Sequence, residues 1–166
     1  MKLFFTGIIC ILFSHLFFVA SAKDPDVIHR QIKWQSPIDI EVNNQQKIKA
    51  LSFESAAVRE DLTPYFSENI ELSGNVNSVR VEIVNAVYEP LVELNLLSNK
   101  NSLLTEITVT SGVSYRKKKP YAFVSFIPFR KNPVTGIAER LLSFDLKITP
   151  TGYSSSRINA RHYQIK

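Results

Sequence analysis

The chain has 166 residues, 45% of them hydrophobic and 21% charged, with a formal net charge of +5. That length suits a single domain with enough apolar surface for one real core. Its sole cysteine is Cys10, which excludes disulfides, cysteine ligands and a cysteine nucleophile from everything that follows it, and five glycines leave little from which to build a glycine-rich phosphate loop.

The first 22 residues read as an address. Lys2 supplies a one-charge start, an apolar run extends from Leu3 to Val19, and Ala20-Ser21-Ala22 offers small residues at both cleavage-critical positions. The run is nearly long enough to span a bilayer, but the Ala-x-Ala ending and the polar Lys23-Asp24-Pro25-Asp26 favour cleavage before Lys23. Gly7-Ile8-Ile9 is a poor lipobox for Cys10, and no later stretch is long and apolar enough to cross a membrane. Export to the periplasm, outer membrane or cell surface is the expectation. Removing residues 1–22 from 166 leaves 144, with the cationic side chains toward the C-terminus: Lys23 to Lys100 carries 8 basic and 12 acidic residues, Asn101 to Lys166 11 and 3.

After a frayed Lys23–Asp26, Val27 to Trp34 alternates (Ile28, Arg30, Ile32 and Trp34 against Val27, His29, Gln31 and Lys33) and predicts a first strand, ended by Gln35-Ser36-Pro37. Asp39 to Lys47 is polar, with Asn43-Asn44-Gln45-Gln46 as a loop, and Ile48 to Phe53 is a short strand. Glu54 to Leu62 is the best helix candidate, though shorter than a self-sustaining helix, and Thr63-Pro64 closes it. Tyr65 to Ser73 forms a strand before Gly74-Asn75. In Ser78 to Tyr88, Val79, Val81 and Ile83 oppose Arg80, Glu82 and Val84, with Asn85 at the end of the first face. Leu91 to Leu97 continues after Pro90, Asn99 to Ser102 is a polar turn, and Leu104 to Ser114 alternates through Thr105, Ile107 and Val109.

Pro120 to Thr149 organises the rest. Tyr121 to Pro128 is apolar on both faces and belongs in the middle of a layered core. Asn132-Pro133 and Thr135-Gly136 supply a turn. Beyond it Leu142, Phe144, Leu146 and Ile148 fall on one face, with Ser143, Asp145, Lys147 and Thr149 on the other. Short strands with turn signals between them predict an all-β, β-sandwich-like single domain over residues 23–150, with at most one short helix. Thr151 to Ser156 is linker-like, and Arg157 to Lys166 reads as the start of a following strand or domain.

Little in the sequence points to catalysis. After the leader only His29 and His162 remain, one near each end, and no metal-ligand spacing surrounds them; both read as strand or surface residues. No Gly-x-Ser-x-Gly elbow frames a serine. No cofactor is implied. Trp34 and Tyr65-Phe66 are candidates for a ligand groove, although aromatics in a β domain more often fill its core. The sharpest local feature is Arg116-Lys117-Lys118-Lys119, with Arg130 and Lys131 at the far end of the next strand. It is a candidate anion-binding site for lipid phosphate or acidic polysaccharide; the plainer reading is a solvated strand edge whose lysines deter edge pairing. The aromatics follow core alternation rather than forming a stacking platform, so no nucleic-acid partner is expected.

The stretch VSFIPFRKNPVTGIAERLLSFDLKIT, carried by Pro128, Arg130-Lys131-Asn132-Pro133, Thr135-Gly136 and Leu142-Ser143-Phe144, resembles the N-terminal region of the PorU family. These are gingipain-type cysteine peptidases that act as sortases of type IX secretion in Bacteroidota. Ile32-Lys33-Trp34, Leu51-Ser52-Phe53 and Pro64-Tyr65-Phe66 extend the resemblance over nearly all of the chain after the leader. It implies a propeptide-like β region ahead of a peptidase domain. The His/Cys pair of that later domain removes sorting signals from exported cargo at the outer membrane. No member of the pair maps onto this chain, so no catalytic residue is assigned. The expected partners are the C-terminal peptidase domain of the same protein and other type IX components at the outer membrane. The chain would then be the non-catalytic head of a longer protein. The alternative is a free-standing exported module that binds an anionic surface glycan or lipid; an independent hydrolase ranks last.

Overall fold

The computed structural model describes residues 26–42, 46–93 and 103–154. Among them are ten strands and no helix: β1 (Asp26–Gln31), β2 (Trp34–Val42), β3 (Gln46–Phe53), β4 (Ala57–Val58), β5 (Pro64–Glu71), β6 (Val76–Pro90), β7 (Thr110–Arg116), β8 (Lys119–Phe126), β9 (Phe129–Lys131) and β10 (Ala138–Tyr153). The fold is all-β and sandwich-like, as the pattern of short alternating segments predicts.

β10 is the spine of one layer. One edge pairs antiparallel with β6; the other takes β1 along residues 143–148 and β9 along 138–140. Between those two, Ile32 donates its amide to Leu142 O at 2.7 Å, and Leu141 donates its own to Pro128 O at 3.0 Å. The second layer runs β4-β5-β8-β7, all antiparallel. The layers meet through Phe144, Leu146, Ile148 and Val81 from the first and Ala122, Val124 and Phe126 from the second. Phe144 stands edge-on to both Phe66 and Phe126, with centroids 5.5 and 5.3 Å away. Such aromatic pairs contribute roughly 0.5–1.5 kcal/mol beyond the area they bury.

β2 and β3 form a separate two-stranded ribbon in which Asp39 faces Lys49 and Glu41 faces Lys47, opposite charges across the ladder. Its root is pinned to the sandwich by Trp34, which lies 5.1 Å from Phe53 and 5.2 Å from Phe129 and donates its indole N–H to Leu141 O at 2.8 Å. Trp34 and Phe66 are thus packing residues, not a groove.

Several expectations are corrected. Glu54 to Leu62 is not a helix: Ser55 and Leu62 both have positive φ, and the segment turns into the two residues of β4. Nine residues form too few internal hydrogen bonds to outweigh that local turn geometry. Gln35-Ser36-Pro37 does not end a strand but forms an irregularity inside β2 between Gln35 and Ile38. The strand expected over Leu104 to Ser114 starts at Thr110, and residues 103–109 lie outside any strand. β10 runs on through Thr151, Gly152 and Tyr153. β8 is an interior strand, but only its even-numbered side chains are fully buried, and Phe123 on the other face is partly exposed. The leader, Leu94 to Leu97, Asn99 to Ser102 and Arg157 to Lys166 lie outside the described residues.

β10 also departs from simple alternation. Leu141 pairs with Tyr88 and Ser143 with Val87, so Leu142 is an extra residue on β10. This bulge moves Leu141, rather than Leu142, into the core beside Phe144. A second bulge follows on β6, where Asn85 takes a left-handed φ of 52°.

Candidate functional site

Among the described residues no three His, Cys, Asp or Glu side chains converge as a metal site would require. His29 reaches Asp145 across the β1–β10 pair, with Nδ1 2.7 Å from Oδ1, while Asn85 donates its amide to Asp145 Oδ2 at 2.8 Å. The Asn85 bond, and after it the His29 bond, hold the Asp145 carboxyl below its usual range. The left-handed bulge in β6 is what aims Asn85 at this carboxylate. The cluster ties three strands together on the solvent face of the sheet. His162 lies outside the described residues.

The basic run Arg116 to Lys119 is the β7–β8 hairpin tip. Arg116 pairs with Lys119, and Lys117 and Lys118 are the two turn residues, with φ of 49° and 66°. Lys119 is held by Glu71, Nζ to Oε1 2.7 Å, and Tyr121 also donates to Glu71, at 3.2 Å. These contacts, the Lys119 bond first, lower the Glu71 carboxyl. Arg130 and Lys131 do not join this tip. Eight residues of β8 separate the two places, about 25 Å at strand rise. Arg130 is instead committed to Glu139, at 2.9 Å, and lies over the Tyr88 ring at 3.5 Å. Asn132 donates to the second oxygen of Glu139 at 2.6 Å. Burial pushes the Tyr88 hydroxyl above its ordinary pKa, opposed by the nearby guanidinium.

The opposite end of the sandwich is apolar. Leu104 O accepts from Lys131 N and Ala138 O from Leu91 N, both at 2.8 Å, while Lys131 and Ala138 are paired. Four backbone segments therefore lie side by side. Their flanking side chains face solvent: Val92 is 86% exposed, Leu104 62%, Val134 90% and Ile137 53%. The buried cluster of Leu51, Leu91, Phe129 and Ala138 lies beneath. Next to this patch a cavity of about 380 Å³ opens between residues 103–110 and the end of β8, with Leu104, Ile107 and Phe129 on its apolar side and Arg59 and Glu106 on its polar side. Sequence reading missed this end, because its four exposed residues come from two connections far apart in the chain, β6–β7 and β9–β10. The one local signal was an apolar pair, Val134 and Ile137, in a turn otherwise built for solvent.

No protein-family model matches the chain, and no curated protein matches it. Among solved structures, the fold is similar to that of a chain in the complex of Porphyromonas gingivalis RgpB pro- and mature domains, with a TM-score of 0.52 and 12% identity. The match covers 81% of this chain and 82% of that one, so the two are of similar length. At that identity the likeness is one of fold. The chain thus has the fold of a gingipain pro-/mature-domain component, which agrees at the coarse level with the gingipain-type resemblance of its sequence.

Proposed function

We propose that this chain is a non-catalytic, propeptide-like β domain that packs against a gingipain-type cysteine peptidase domain. In the finer reading, it is the N-terminal region of a PorU-type sortase of type IX secretion, exported to the periplasm or the outer-membrane surface. The fold likeness to a component of a pro- and mature-domain complex carries the proposal. The apolar end supports it. Exposed large aliphatic side chains on neighbouring backbone segments beside a cavity suit the core of an interface, where apolar surface is withdrawn from water. Val134, the most exposed of them, stands on a turn braced by Asn132 Oδ1, which accepts from Val134 N at 2.9 Å and Thr135 N at 3.0 Å. An anchor held in that way loses little freedom on binding.

The test is to mix the chain with the gingipain-type peptidase domain of its own organism and follow complex formation by size exclusion and calorimetry. A one-to-one complex is expected. Val134→Asp together with Ile137→Asp, which touches only exposed positions, should weaken it by at least about tenfold, since an unpaired carboxylate is then buried against apolar surface. The absence of a complex, or equal affinity for the variant, contradicts the proposal.

A further inference from the structure

We propose that the tip of the β7–β8 hairpin binds phosphate groups displayed on an anionic lipid surface. The inference rests on the hairpin alone and stands or falls independently of the peptidase reading.

The first observation is conformational. A two-residue hairpin turn with positive φ at both central positions is the geometry that Asn-Gly adopts with least strain. Here the positions are filled by Lys117 and Lys118, at φ 49° and 66°. Each carries the steric penalty of a left-handed residue with a long side chain, and lysine contributes no local hydrogen bond that would offset it. Folding alone does not account for two lysines at these positions.

The second observation is electrostatic. Glu71 is the carboxylate that meets the tip, and Lys119 and Tyr121 already engage both of its oxygens. Arg116, Lys117 and Lys118 are exposed and form no ion pair among the described residues. Three uncompensated cations therefore project from one turn.

The third observation is what surrounds them. Tyr115 and Tyr153 are each 56% exposed, and both meet Val76: Tyr115 donates its hydroxyl to Val76 O at 2.9 Å, and Tyr153 is its register partner on β10. Half-exposed tyrosines beside a basic cluster suit the boundary between headgroups and water, where a ring and a cation are both accommodated. The shape argues against a small soluble anion. The cavity lies near the other end of β8, whereas the cations stand at an exposed two-residue turn and line no part of it. A plane of phosphates satisfies all three at once.

The experiment uses the chain from Lys23 on, which contains every described residue, and measures its partition onto phosphatidylcholine vesicles with and without phosphatidylglycerol. Binding is expected only with phosphatidylglycerol and should fall with added salt. Lys117→Asn with Lys118→Gly keeps the turn in a favourable sequence while removing two cations. Adding Arg116→Gln removes the third. The loss expected is about fivefold per cation, on the order of a hundredfold for all three. Lys117→Arg with Lys118→Arg should bind as the parent does. Unfolding curves of each variant establish that the fold is retained. Equal partition of parent and triple variant overturns the proposal, as does equal binding to neutral vesicles. Retention on heparin without vesicle binding assigns the tip to polysaccharide and overturns the lipid reading. Displacement by inorganic phosphate at constant ionic strength does the same in favour of a free anion.

Discussion

The Glu139 carboxylate is engaged on both of its oxygens, and its side chain is only 13% exposed. It accepts from Arg130 at 2.9 Å and Asn132 at 2.6 Å, and these contacts, Asn132 first, hold it below the ordinary carboxylate range. A carboxyl whose folded pKa lies below its unfolded value of about 4.3 contributes stability that is fully present above that value and lost as pH falls through the folded one. Glu139→Gln should therefore lower stability at neutral pH by about 1–3 kcal/mol, because it leaves the half-buried Arg130 without its anion. It should also flatten the decline in stability between pH 5 and pH 3, measured by urea unfolding across that range. An unchanged acid limb contradicts the assignment. The residue types here were legible in the sequence but their partners were not. Arg130 and Lys131 read as company for Arg116 to Lys119, whereas the extent of β8 sends them to the other end and the Glu139–Tyr88 contacts occupy Arg130.

At the scale of elements, β10 shows what period-two reading delivers and where it slips. Phe144, Leu146 and Ile148 occupy the buried face that their spacing predicts. Leu142 does not, because the bulge opposite Tyr88 and Val87 adds one residue and reverses the alternation before it. Leu141→Ala should then cost roughly 2–5 kcal/mol and Leu142→Ala about 1 kcal/mol, read as unfolding midpoints. The reverse order would place the bulge elsewhere. Bulges are set by pairing with a distant strand, so nothing local announces them. The same holds for the expected helix over Glu54 to Leu62: its composition permits a helix, but the left-handed Ser55 and Leu62 and the pairing of β4 with β5 decide otherwise. Gln35-Ser36-Pro37 is the converse case. Ser36 and Pro37 are tolerated inside β2 because the ladder to β3 skips them between Gln35 and Ile38.

Taken whole, the domain is polarised along β8. One end carries uncompensated cations at the β7–β8 turn, with half-exposed Tyr115 in the strand leading to it; the other carries Val92, Leu104, Val134 and Ile137 beside a cavity. The cationic end was legible as a run of four residues. The apolar end was not, since it is assembled from residues 92, 104, 134 and 137, which the β6, β9 and β10 pairings and the Lys131 N–Leu104 O bond bring to one end. An orientation follows from this polarity: a peptidase domain seated on the apolar end leaves the cationic tip free. The most direct measurement is amide hydrogen exchange of the chain alone and with the peptidase domain of its own organism. Slowed exchange is expected at residues 91–92, 103–107 and 131–138, with the β7–β8 turn unchanged. Protection confined to the solvent face around Asp145, or no protection at all, would contradict the account.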